Sequence, residues 1–216
     1  MINGRTVITT LLSVSLGTIA LAQSTHQHGA SNAPGMPGMM AQMRGSQAGH
    51  MEGMMQAGNS MHGLEELKGA EFDQAFMAMM IAHHQGAIEM ADWVLEHGRD
   101  PQVLEAGNEI KAAQDPEIQQ MTTWLQDWYA TEPDSTWMQM MDSDTQSMMN
   151  AMTAANDPDT AFLAEMIHHH QGAIDMAQLA LQHADQQELR DLARDIIIMQ
   201  AGEIHQFQTW LNTGTE

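Results

Sequence analysis

MIAHHQGAIEMA, residues 80–91, returns as MIHHHQGAIDMA, residues 166–177. The offset is 166 − 80 = 86, and it holds well beyond the matched words. Asp73 answers to Asp159, Phe76 to Phe162, His97 to His183, Ile110 to Ile196 and Gln114 to Gln200. Glu117-Ile118 answers to Glu203-Ile204, and Trp124-Leu125 to Trp210-Leu211, with no insertion anywhere. Self-similarity at one fixed offset means that a single supersecondary unit is used twice. Each copy carries two adjacent His framed by Met, a donor set suited to a soft metal ion.

Periodicity makes the unit a helical hairpin. With 100° per residue and Met80 at zero, Phe76, His83, Ala87, Met90 and Val94 fall within about −20° to −80°. His84 borders that stripe at about +40°, and Glu89 lies near 180°. Phe162, Met166, His169, Ala173 and Met176 repeat the stripe, with His170 on its flank and His168 pointing outward. The pattern predicts helices over about 71–97, ended by Gly98, and about 101–129, opened by Pro101 in its first turn. After a break at Glu132-Pro133-Asp134-Ser135, a short helix is expected over 137–154. Asn156-Asp157-Pro158 caps the next helix, to about Ala184, and the last runs over about 186–211. No stretch alternates with period two. The expected fold is all-α: a four-helix bundle, ferritin-like, built from two 86-residue helical-hairpin repeats. The repeats occupy 69–130 and 157–216, joined by a Met-rich connector at 131–156. Met138, Met141, Met148 and Met152 form an apolar stripe on that connector.

The second helix of each hairpin turns polar groups inward. Glu117 shares a face with Gln114, Ile110, Met121 and Trp124, as Glu203 does with Gln200, Ile196 and Trp210. A buried carboxylate needs a partner. His83 with Glu117, and His84 with Gln114, are the expected pairs, each leaving the other ring nitrogen free for metal. Pro116 and Gly202, also 86 apart, precede the two Glu, and a kink or bulge is expected there. The candidate ligands are Met80, His83, His84 and Met90 in one half, and Met166, His169, His170 and Met176 in the other. Gln114, Glu117, Gln200 and Glu203 stand behind them. A Met stripe at helical spacing also serves as plain core; the recurrence of Met, paired His and inward Glu in both halves favours metal.

Residues 1–22 read as a secretory signal: Arg5, an uncharged run from Thr6 to Leu21, and an A-x-A cleavage site at Ala20-Leu21-Ala22. Cleavage leaves 216 − 22 = 194 residues, exported to the periplasm or beyond, with no remaining membrane span. Residues 23–68 are expected to form a disordered arm, rich in small residues yet carrying soft donors. These are His26, His28, Met36, Met39, Met40, Met43, His50, Met51, Met54, Met55, Met61 and His62, an auxiliary metal-binding set. There is no Cys, so disulfides, thiolate ligation and Cys nucleophiles are excluded. With 7 Lys and Arg against 28 Asp and Glu, the formal charge is −21. Such a surface repels nucleic acid and anionic lipid and attracts cations.

Thioether is a poor ligand for Zn, Mn or Ca and a good one for Cu(I) and Ag(I), while imidazole takes copper in either oxidation state. The donor set therefore reads as copper, Cu(I) first, with Cu(II) possible and Ag(I) as surrogate. A di-iron carboxylate site in the same fold wants inward Glu on all four helices and two E-x-x-H motifs. Here Glu165-x-x-His168 stands alone and faces out, and Glu89 and Asp175 face solvent. No Ser-His-Asp order, phosphate loop or nucleotide fingerprint occurs. The expected role is a non-catalytic metal binder, with a metal-dependent oxidoreductase and a metal-free structural module as the other two classes.

The set Asp73, Phe76, Met80, His83-His84, Ala87, Met90, Gln114, Glu117-Ile118 and Trp124-Leu125, with its second copy, resembles the domain of unknown function 305 family. That family includes CopM-like periplasmic copper-binding proteins. The resemblance covers about two-thirds of the chain; Phe207 replaces Met121 in the second copy. It implies a ferritin-like four-helix fold and copper or silver binding linked to metal tolerance, with a protein that donates or accepts metal as a possible partner.

Overall fold

The computed structural model describes Met61 and residues 63–214. Residues 1–22, read above as a signal, and the arm donors other than Met61 lie outside the described residues. The described chain forms a 3-10 turn, Leu64–Glu66, and five α-helices: α1 Gly69–His97, α2 Pro101–Tyr129, α3 Ser135–Ala154, α4 Pro158–His183 and α5 Gln187–Thr213. No strand occurs among the described residues. Three helix starts are chemically marked. Asp100, Asp134 and Asp157 each accept a backbone N–H of the first turn, and Pro101 and Pro158 enter at positions where a missing N–H costs nothing.

α1 packs along α2, and α4 along α5, as the two predicted hairpins; α1 and α4 then meet at the centre. The expected four helices have a fifth companion. The connector is a full 20-residue helix lying on α1 and, less extensively, on α4. Met141 and Met152 are eleven residues apart, about three turns, so they share one face and bury it at both ends. Because α1 is covered by α2, α3 and α4, the run Ala75 to His84 is buried without interruption. The matching stretch of α4 keeps Glu165 half-buried and His168 exposed, at the positions of Met79 and Ala82.

Two expectations need correction. The arm does not run to residue 68: Leu64 is fully buried and Leu67 packs against the same core, because apolar side chains resume there. Nor does a bulge interrupt the helices beside Glu117 or Glu203; α2 and α5 continue as α-helix through Pro116 and Gly202. Pro116 and Ala112, whose carbonyl loses its donor, are both exposed, so water can satisfy that group.

The apolar interior divides in two. One cluster contains Phe72, Phe76, Met77, Met79, Met80, Met121, Met141 and Met176. The other contains Met90, Val94, Ile110, Met152, Phe162, Met166 and Phe207. Met80 sharing a cluster with Met176, and Met90 with Met166, shows that α1 and α4 run in opposite directions. The paired His occupy the layer between.

Candidate metal centre

His83 and His169 meet face to face across the α1–α4 interface, with ring centroids 3.7 Å apart and planes inclined by 38°. Their neighbours turn the other way, each into its own hairpin. His84 Nε2 donates to Glu117 Oε2 at 2.6 Å, and His170 Nε2 stands 2.7 Å from Glu203 Oε2, out of hydrogen-bond alignment. The expected pairing of Glu117 with His83 is thus replaced by Glu117 with His84. One helical step of 100° decides this: when His83 faces α4, His84 must face α2. Gln114 and Gln200 are buried beside them, but neither Oε1 has a hydrogen-bond donor among the described residues.

The four imidazoles are at most 7% exposed, and His84 and His170 are fully buried. Burial, and then the neighbouring His, holds His83 and His169 well below the ordinary histidine pKa, so both rings are neutral near pH 7. Six of the eight ring nitrogens are sealed from solvent with no hydrogen-bond partner among the described residues. A buried polar atom left unpaired costs about 1–3 kcal/mol. A carboxylate on Nε2 of His84 leaves Nδ1 as a free lone pair, the form in which imidazole binds metal.

The methionines are grouped across the repeats rather than within them. Met80 stands one turn before His83, whereas Met90 stands about 10 Å further along α1, so both cannot reach one ion at His83. The half-by-half ligand sets therefore divide. Met80 and Met176 flank the His layer on one side, with Met141 of α3 in the same cluster. Met90 and Met166 flank it on the other, with Met152 of α3. All six are at most 4% exposed. Phe207, in the place of Met121, puts its ring 6.0 Å from that of His170. Among the described residues no three His, Asp or Glu converge as a metal cluster. Met61 is partly buried against the first cluster.

Two residues of the repeat act differently from anything the helix wheel suggested. Asp73, fully buried at the start of α1, accepts the Tyr129 hydroxyl at 2.7 Å and the backbone N–H groups of Asp185 and Gln186 at 2.9 and 3.1 Å. Asp159, its repeat partner at the start of α4, accepts the N–H groups of Arg99 and Asp100. Each hairpin thus caps the turn of the other. Gly98 is part of this brace: a Cβ there would come 2.6 Å from Asp159 Oδ1. A conserved offset revealed the two Asp as equivalent, but only the fold reveals that they reach across.

Residues 16–106 and 77–211 match the family described as domain of unknown function (DUF305). The chain belongs to the DUF305 family. Among solved structures it is similar to CopM in the Cu(II)-bound form, at 31% identity and a TM-score of 0.57, over 66% of this chain and 98% of that one. The likeness to CopM in its silver-bound form, obtained by soaking, is 31% identity and a TM-score of 0.58, over 67% and 97%. A DUF305 fragment from Deinococcus radiodurans shares 27% identity at a TM-score of 0.55, over 65% and 95%. No curated protein matches. No helix among the described residues of this DUF305 protein is long and apolar enough to cross a membrane.

Proposed function

We propose that this DUF305 protein is an exported, non-catalytic copper binder that sequesters or passes on Cu(I), takes Cu(II) through its imidazoles, and accepts Ag(I) as a surrogate. One observation carries the reading: four buried His, six of their ring nitrogens without a hydrogen-bond partner among the described residues, lie between two methionine-lined clusters. That donor chemistry selects soft ions. The similarity to CopM, solved in Cu(II)-bound, Cu(I)-bound and silver-bound forms, supports the same choice. The signal-like residues 1–22 support export. Among the described residues, Glu117 and Glu203 are the carboxylates paired with these His, too few for a di-iron centre.

The test is anaerobic Cu(I) titration of the protein, with and without residues 23–60, against a competing chelator. In the full chain, His83→Ala with His169→Ala is expected to weaken binding by about 100-fold. Unchanged stoichiometry and affinity in that variant would remove the helical body from the site. Turnover of oxygen or peroxide by the copper-loaded protein would instead make it an oxidoreductase.

A further inference from the structure

We infer that Gly172 is the opening through which small ligands reach the buried His layer, and that His83 Nε2 is the first donor they meet. Of the eight ring nitrogens in the layer, six are sealed and His84 Nε2 is bonded to Glu117. His83 Nε2 belongs to neither group, and His83 is the most exposed of the four rings at 7%. Gly172 sits on α4, half-buried, directly over this atom. A Cβ built there would meet His83 Nε2 at 3.3 Å and, its own stretch of helix aside, no other heavy atom within 4 Å. The missing side chain therefore leaves a gap about one methyl wide, and at its floor is a ring that is more than nine-tenths buried. Asp175, one turn along α4, accepts the Gln171 side-chain amide at 2.8 Å and adds negative charge to that stretch of the helix.

The repeat offers a control within the same molecule. Gly86 is the counterpart of Gly172, but α3 lies over it. A Cβ at Gly86 would collide with Thr145 Oγ1 and come 3.0 Å from Thr145 Cγ2. The first half is closed by the connector, and the second is open because α3 covers α4 less. One entrance thus serves a layer shared by both halves. For copper, the ion would pass Gly172, bind first at His83 Nε2, and then exchange to the deeper donors; this part rests on the copper reading.

Two measurements separate the entrance from the metal. Hydroxyl radicals, about the size of water, oxidise accessible imidazoles, and tandem mass spectrometry locates the oxygen adduct. In the metal-free full chain, His83 is expected to react while His84, His169 and His170 stay protected. Gly172→Ala is expected to abolish the His83 adduct, and Gly202→Ala, at an open surface position, to leave it unchanged. A protected His83 in the native chain, or an adduct unaffected by Gly172→Ala, overturns the inference. Should Gly172→Ala prove unfolded by circular dichroism, Gly172→Ser carries the same test. In stopped-flow uptake of Ag(I), Gly172→Ala should slow loading and release by about tenfold. Unchanged rates overturn the entrance. If the native chain takes up no Ag(I) or Cu(I), the copper proposal fails, and the adduct pattern alone decides the opening.

Discussion

The two repeats share a motif nearly letter for letter, yet they occupy unequal positions. α1 is wrapped on three sides and buries ten consecutive residues, Ala75 to His84, whereas α4 exposes His168 within the same stretch. Asp73 is sealed and carries Tyr129 as an extra donor; Asp159 is half-buried and caps the opposite turn with backbone groups alone. Gly86 is roofed by Thr145, and Gly172 looks onto His83. The wrapping of α1 and the roof over Gly86 have one source. A chain with two equivalent hairpins has only one connector, and its placement on α1 breaks the symmetry. Duplication supplies a shared central layer of His; the connector decides from which side that layer is reached.

The largest expected effect strikes the braces. Asp73→Ala leaves two backbone N–H groups and a Tyr hydroxyl without their acceptor, in a buried place. It should cost about 3–5 kcal/mol in denaturant unfolding. Asp159→Ala, partly hydrated, should cost only about 1–2 kcal/mol. Equal losses would mean that burial does not distinguish the two turns.

A second contrast sets the two glycines against each other. Gly86→Ala should destabilise by about 1–3 kcal/mol through overpacking on Thr145. The pair Gly86→Ala with Thr145→Ala should recover most of it, since the colliding Oγ1 and Cγ2 are gone. Gly172→Ala should change unfolding by less than about 1 kcal/mol. A Gly86→Ala variant as stable as the parent would show that α3 is free to lift from α1.

Acid sharpens the comparison of the inner and outer His. Folding holds His83 and His169 below their ordinary pKa of about 6.5, so the unfolded chain binds protons that the folded chain refuses. Their contribution is complete above about pH 6.5 and is lost as pH falls from there toward the depressed folded values, by up to about 1.4 kcal/mol per pH unit for each group. Unfolding midpoints measured between pH 7.5 and 5 should fall, and His83→Gln with His169→Gln should flatten that slope. An identical slope in the double variant would assign the acid sensitivity to other groups.

The smallest effect concerns the outer pair. Tyr129→Phe removes one hydrogen bond to Asp73 and should cost about 1 kcal/mol. Glu203→Gln, whose contact with His170 is not aligned as a hydrogen bond, should cost less than Glu117→Gln, whose contact with His84 is. Thermal melts of the two Gln variants side by side test this order.

Much of this was legible in the chain. The 86-residue offset and the Met80–His83–Ala87–Met90 stripe place the hairpins, their boundaries and the inward His. Pro158 after Asp157, and Pro101 after Asp100, mark two of the helix starts, because capping is local chemistry. The same stripe at Phe162, Met166 and Met176 marks the core face of the second hairpin. What sequence reasoning could not supply was the partner of each residue across space. Glu117 was assigned to His83 because both lay on inner faces, and a wheel gives a face without saying which helix fills it. Met80 and Met90 looked like one ligand set because they share a stripe, although the helix rise separates them along its axis. Asp73 and Asp159 gave no sign of bridging the hairpins, since their partners lie 112 and 60 residues away.

The sequence by itself determined two equivalent amphipathic hairpins, an acidic Cys-free chain, and His–Met donors turned inward, because periodicity, capping and ligand softness act over a few residues. Only the tertiary structure decided that His83 stacks on His169, that Met80 joins Met176 rather than Met90, and that Gly172 is open while Gly86 is closed. Those outcomes depend on how rigid helices pack against one another and on where a single connector can lie, and no local pattern encodes that.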